Sequence, residues 1–190
     1  TAESVFAEMS DFAKYAFNKS HAAAYAVVAF RTAYLKCHHR REYMCALLNS
    51  VAGDNRRVDL YIDDLSRAGV RVLPPDLNES GEGFTVVGDN LRFGLAAVKN
   101  VGGAFAAFIV QERLANGPYT GFEDFLLRTQ GRGNVRMIES LVNCGAMDGF
   151  GHPRSRMAAA AESAVQTVAG MNNGVIAGQM GLFDAVGGTD

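Results

Sequence analysis

The sequence predicts a mainly α-helical chain with a small β element. Apolar residues recur at helical spacing over most of the first 68 residues and again from Leu95. Short β-rich runs are confined to residues 70–93, separated by Pro74-Pro75 and Gly88-Asp89-Asn90, and from Gly170 the chain reads as a flexible tail. At 190 residues with 48% hydrophobic content, it can bury a core in one or two domains.

Val5, Phe6, Met9, Phe12, Ala13 and Ala16 fall on one face of a helix, so Ala2–Ala16 reads as amphipathic. Ala22–Leu35 is apolar nearly all round except Arg31 and Thr32, which predicts a central, buried helix. Arg41–Val51 is a third helix. Arg57–Ala68 is a fourth, with Val58, Tyr61, Ile62 and Leu65 opposite Asp59, Asp63, Asp64 and Arg67, and Gly69 ends it. Val70–Leu73, Phe84–Val87 and Leu91–Phe93 form a small sheet or hairpin. Two helix–turn–helix units follow. In the first, Leu95, Val98 and Val101 precede Gly102-Gly103, and Ala104, Ala107 and Phe108 continue beyond it. In the second, Ile138, Leu141 and Val142 precede Cys144-Gly145, with Met147 and Phe150 beyond. Phe122–Arg128 is a connecting helix, and Arg154–Ala169 forms one more.

A net charge of -2 excludes wholesale electrostatic nucleic-acid binding, so any DNA contact must be local. Arg31–Tyr43 is locally basic, with Arg31, Lys36, Arg40 and Arg41 against Glu42. Cys37, Cys45 and Cys144 make no even disulfide pattern, which fits a reducing compartment and a cytoplasmic protein. No apolar run reaches membrane-spanning length, and Thr1-Ala2-Glu3-Ser4 is neither an initiator methionine nor a secretory signal; the chain reads as a piece of a longer one.

Three stretches carry chemistry. In Phe17-Asn18-Lys19-Ser20-His21 a cation, a hydroxyl and an imidazole stand at a helix start, with Ser20 read as the N-cap and Tyr25 one turn on. Backbone N–H groups, the Lys19 charge and His21 would meet a phosphate together, although a capped buried helix with a surface lysine uses the same residues. The repeated glycine turns match a helix-hairpin-helix, which aims backbone amides at one phosphate without reading bases, whereas an ordinary αα-hairpin is the plainer alternative. Lys99 and Asn100 flank the first turn, and Arg113, Arg132 and Arg136 are near in sequence. Gln179-Met180-Gly181-Leu182-Phe183 stands between glycines and suits an extended peptide whose Leu182 and Phe183 fill a partner's apolar pocket. Cys37, His38, His39 and Cys45 lack the paired spacing of a structural zinc site, and Asp63-Asp64 and Glu123-Asp124 read as helix-surface or helix-start acids rather than metal ligands. No nucleophile–base arrangement is present, so the expectation is no catalytic and no metal residue in this chain.

Phe17–Ala26, Val72–Ser80, Arg92–Gly102 and Gln179–Phe183 together resemble, in order, the alpha subunits of the bacterial replicative, C-family DNA polymerases. The resemblance covers nearly the whole chain. It implies that residues 1–91 are the rear part of a helical fingers domain, that 92–151 are tandem helix-hairpin-helix DNA-binding units, and that 152–190 are a helix and a flexible tail with a sliding-clamp motif. By the same resemblance Lys19, Ser20, His21 and Tyr25 face the incoming nucleotide. Lys99, Val101, Gly102 and Gly103 then belong to the first DNA-binding turn and Cys144 and Gly145 to the second, while Gln179, Met180, Leu182 and Phe183 form the clamp peptide. The family's palm, with its metal-binding aspartates, is missing from this sequence. The implied partners are template–primer DNA, a deoxynucleoside triphosphate, the sliding clamp and other holoenzyme subunits. No cofactor is expected in this chain, with Mg2+ in the palm of the parent enzyme, so the chain alone is expected not to polymerise. The alternative is a non-catalytic helix-hairpin-helix adaptor recruited by the clamp; an error-prone paralogue is disfavoured by the well-formed clamp peptide.

Overall fold

The computed structural model describes residues 1–14 and 19–161. The chain divides into two compact units, Thr1–Tyr43 and Met44–Asp190.

The first unit contains α1 (Ala2–Lys14) and α2 (Lys19–His38). Here one expectation is corrected: α2 buries none of its residues, and Tyr25 and Phe30 are 63% and 70% exposed. A helix apolar on every side needs packing on every side, and the described part of this unit offers α1 alone. Its apolar residues therefore stand at the surface of the described part of this unit.

Helix α3 (Arg40–Ser50) begins in the first unit and buries Met44 and Leu48, which belong to the second. The next helix, α4 (Asn55–Arg67), is capped by Asp54, whose side chain accepts from the Arg57 N–H, and it buries Val58 and Leu65. Strands β1 (Val72–Leu73), β2 (Thr85–Val87) and β3 (Asn90–Arg92) form a sheet in the order β1-β3-β2. β1 runs parallel to β3, and β2 pairs antiparallel with it across the Gly88-Asp89 turn. Asn49 ties α3 to this hairpin. Its amide accepts from the Phe84 N–H at 2.7 Å and donates to the Phe84 carbonyl at 3.0 Å, much as a neighbouring strand would.

The loop Asp76–Ser80 joins the sheet to the helices. Asp76 Oδ1 accepts from the amides of Asn78 and Glu79, while the fully buried Ser80 hydroxyl accepts from the Asp76 N–H and donates to the Phe93 carbonyl. Asn78 exchanges two hydrogen bonds with the backbone of Tyr119, and Arg113 donates to the carbonyls of Leu77 and Ser80. The Asp-Leu-Asn-Glu-Ser stretch is therefore a clasp whose polar groups are spent within the fold.

Helices α5 (Gly103–Asn116), α6 (Phe122–Arg128), α7 (Val135–Asn143) and α8 (154–161) enclose the main core. Phe105, Ile109, Phe122, Phe125, Ile138, Leu141 and Met157 meet there. The segment before α5 differs from the expected helix, since only Leu95–Ala97 is helical, as a single 3-10 turn. Leu95, Val98 and Val101 recur every third residue and are all buried, which suits three residues per turn better than 3.6. Asn100, at φ 69, then stops any continuation. Beyond Cys144-Gly145 the resumed piece is likewise a short 3-10 turn, Asp148–Phe150, and the next α-helix starts after Pro153.

Tyr119 supplies a pH test of this core. It is 2% exposed and its hydroxyl donates to the Ile109 carbonyl at 3.0 Å; burial pushes the phenol from 10.0 up to about 12. The folded chain thus holds this proton more tightly than the unfolded one. The resulting stability is complete below pH 10 and is lost as pH rises through about 12. Denaturant melts at pH 9 and above should show roughly 2–3 kcal/mol less alkaline loss in Tyr119→Phe than in the parent, from about 1.36 kcal/mol per unit. Identical alkaline limbs would refute the assignment.

Candidate nucleic-acid interface

The first glycine turn is built so that the start of α5 stays open. Gly102 sits at φ 72 and ψ 156, a region that side-chain-bearing residues avoid, and it provides no side-chain cap for the helix. The first N–H groups of a 14-residue helix have no partner within it, and Gly102, Gly103 and Ala104 are exposed. Lys99 is exposed beside them. Val101, by contrast, is fully buried, so its side chain belongs to the core and only its backbone faces this edge. An acid also stands here: a Cβ on Gly103 would lie 3.6 Å from Glu82 Oε1.

Asn100 connects the two turns. Its Nδ2 donates to Ser140 Oγ at 3.0 Å, which fixes the first turn against the end of α7. Between them lies a cavity of about 500 Å3 that both Lys99 and Cys144 line. The structure thus brings Lys99, Val101, Gly102 and Gly103 to one edge, with Cys144 across the cavity.

The second turn is differently made. The amides of Cys144, Gly145 and Ala146 donate to the carbonyls of Ser140, Val142 and Leu141. Gly145 is buried, with Arg154 and Asp148 packed over it in an ion pair that holds the Asp148 carboxyl below its ordinary range. The donors expected from Cys144 and Gly145 are therefore satisfied inside the chain. Burial pushes the Cys144 thiol up, and its Sγ donates to the Leu141 carbonyl at 3.3 Å. Arg113 is committed to the Asp76–Ser80 clasp, and Arg132 lies 5.3 Å from the centre of the Phe108 ring. Arg136 remains exposed on α7. The Asn100–Ser140 contact is not legible in the sequence, because nothing in spacing along the chain pairs residues forty positions apart.

In the first unit, Lys19, Ser20, His21 and Tyr25 all lie exposed in the first turns of α2. The rings of His21 and Tyr25 are 4.4 Å apart, as their i,i+4 spacing predicts. Ser20 is not the N-cap, because α2 already includes Lys19. Gln179, Met180, Leu182 and Phe183 lie outside the described residues.

A family profile described as a helix-hairpin-helix motif matches residues 69–157, covering the sheet, the clasp and both turns. The chain is also similar to proteins named DNA polymerase III subunit alpha. The one from Saccharopolyspora erythraea is 45% identical over 99% of this chain and 16% of its own length. The one from Thermus aquaticus is 44% identical over 97% of this chain and 15% of its own length, and that from Mycobacterium tuberculosis 43% over 90% and 15%. The chain spans about one-sixth of the length of these relatives.

Proposed function

Because the chain is a homologue of a segment of the DNA polymerase III alpha subunits, we propose that it grips template–primer duplex through the open start of α5, independently of base sequence. The observation that carries this reading is the exposed, uncapped Gly102–Ala104 turn with Lys99 at its edge. Oriented backbone amides, a helix dipole and one ammonium suit a phosphate and carry no base information. In this reading the division is 1–91 for the rear fingers, 92–151 for duplex binding and 152–190 for the clamp-binding tail. Lys19, Ser20, His21 and Tyr25 meet the incoming nucleotide triphosphate, and the Gln179–Phe183 peptide docks on the sliding clamp. Phosphoryl transfer needs metal-held charge on the transferring phosphate, and the Mg2+ for it belongs to palm carboxylates outside this chain. Among the described residues no helix is long and apolar enough to cross a membrane; a cytoplasmic replisome is the setting this reading requires.

Duplex titrations over a range of salt test the grip. Lys99→Ala should weaken binding roughly tenfold on unrelated sequences alike and flatten the log–log salt slope by about one. Glu82→Gln should strengthen binding a few-fold, since it removes an acid beside the same helix start, an effect of about 0.3–1 kcal/mol. Unchanged affinity in both variants would remove the turn from the DNA interface.

Primer extension by the parent polymerase tests the other two roles. Lys19→Ala should cut kcat/KM for the incoming nucleotide with or without clamp, by about 1.5–3 kcal/mol for one charge-assisted contact. Leu182→Ala with Phe183→Ala should instead abolish clamp stimulation and leave clamp-free extension intact. Normal nucleotide use by the first variant, or normal clamp response by the second, would dismiss the corresponding role.

A further inference from the structure

We propose that the cavity between the two turns takes one unpaired nucleotide of DNA, next to the duplex grip. The inference rests on the duplex-binding reading above and adds a second kind of contact to it. At about 500 Å3 the cavity falls within the roughly 300–1,000 Å3 typical of small-ligand sites. That is room for a nucleotide and not for a duplex. Its lining combines apolar groups, from Pro75, Phe93 and Val98, with polar ones, from Asn100, Ser140 and Asn143.

A nucleobase has the matching character, with apolar faces and a polar edge. The Phe93 ring is held in place by an edge-on contact with Phe84, with centroids 4.7 Å apart, so it offers a fixed surface for stacking. Ser140 Oγ accepts from Asn100 and keeps its own proton to donate, while the exposed Asn143 amide can both donate and accept. Such groups adapt to any base edge, so the site should tolerate sequence. Lys99 lines the same cavity and also flanks the α5 start, so the nucleotide's own phosphate would continue the backbone path gripped there. A nucleotide just beyond the paired region, in a single-stranded tail, meets these conditions.

The test compares a blunt duplex, the same duplex with a single-stranded thymidine tail, and a thymidine oligonucleotide alone. The tailed duplex should bind about tenfold tighter than the blunt one, the scale of one base-stacking contact. In the unaltered chain, alkylation of Cys144 by iodoacetamide should slow with the tailed duplex and not with the blunt one. Peptide-resolved mass spectrometry makes Cys37 and Cys45 internal controls. Ala97→Phe, which fills the cavity from its lining, should erase the advantage of the tail while keeping blunt-duplex affinity. Equal binding of tailed and blunt duplex, with equal Cys144 alkylation, overturns the proposal even if duplex binding is intact. Failure of the duplex reading looks different: no blunt duplex binds, and protection of Cys144 by the oligonucleotide alone would then support the cavity site while dismissing the grip.

Discussion

Replacing Gly94 by alanine should destabilise the second unit by about 3 kcal/mol, the upper range for forcing atoms into a packed interior. The reason is a backbone crossing. Leu95 and Ala96 donate to the carbonyls of Gly81 and Glu82 at 3.0 and 2.9 Å, pressing the Gly94–Ala96 segment against Gly81–Gly83. A Cβ on Gly94 would lie 2.6 Å from the Gly83 Cα and 2.7 Å from its carbonyl oxygen. Those are main-chain atoms and cannot rotate aside. Gly94 itself has φ -80 and ψ 144, values open to any residue, so the loss would come from contact rather than from backbone strain. Urea melts of the two proteins should give parallel slopes with the variant's midpoint well below the parent's. Gly53→Ala, where a Cβ meets nothing within 4 Å, is the control and should change stability little. Equal midpoints for Gly94→Ala and the parent would show that the two segments part at little cost.

The same crossing shows what the sequence could and could not convey. Helix periodicity located α1 to α7 because each depends on residues three and four apart. The Gly88-Asp89-Asn90 turn located the hairpin because a tight turn is a local event. The clasp is not local: Ser80 bridges to Phe93, Asn78 to Tyr119, and Arg113 returns to Leu77 and Ser80. In sequence, Asp76-Leu77-Asn78-Glu79-Ser80 is only a polar run. Likewise, the spacing of Leu95, Val98 and Val101 fits both a helix and a 3-10 turn, and only the φ of Asn100 separates them.

For the site, the glycines marked the turns correctly, but not which amides stay open. Gly102 and Gly145 both have positive φ, yet one starts a 14-residue helix at the surface and the other lies beneath Arg154. The difference arises because Gly102 precedes a helix start, whereas Cys144 and Gly145 close the end of α7 and their amides donate back to the Ser140 and Val142 carbonyls. The exposure of α2 was unreadable for a related reason: an all-round apolar helix announces that it will be covered and leaves open which chain covers it.

Arg128→Ala should cost the second unit about 1.5–3 kcal/mol, the range for losing hydrogen bonds to a charged group at a half-buried site. Its guanidinium ties the loop between α5 and α6 at several points, beside the Asn78–Tyr119 and Thr120–Asp124 bonds. Nε donates to Glu112 Oε1 at 3.1 Å, Nη1 to the Pro118 carbonyl at 3.2 Å and to Asp124 Oδ2 at 3.3 Å, and Nη2 to the carbonyls of Glu112 and Gly117. The carbon between those nitrogens lies 4.3 Å from the centre of the Tyr119 ring, a cation–π contact. With the side chain 16% exposed, truncation would leave Glu112, itself 19% exposed, with only the Asn116 amide as donor, and would strip the Pro118, Glu112 and Gly117 carbonyls of theirs. Lysine would keep the charge but has one nitrogen where five N–H groups now radiate in a plane, so Arg128→Lys should recover less than half of the loss. Calorimetry should show both melting temperatures lowered, alanine more than lysine, by about 2–4 °C per kcal/mol for a unit of this size. Because Arg128 lies away from the α5 start, duplex affinity of the folded variants at low temperature should match the parent. Full rescue by lysine would mean that charge alone holds the loop, and the directional bonds to the carbonyls would then contribute little.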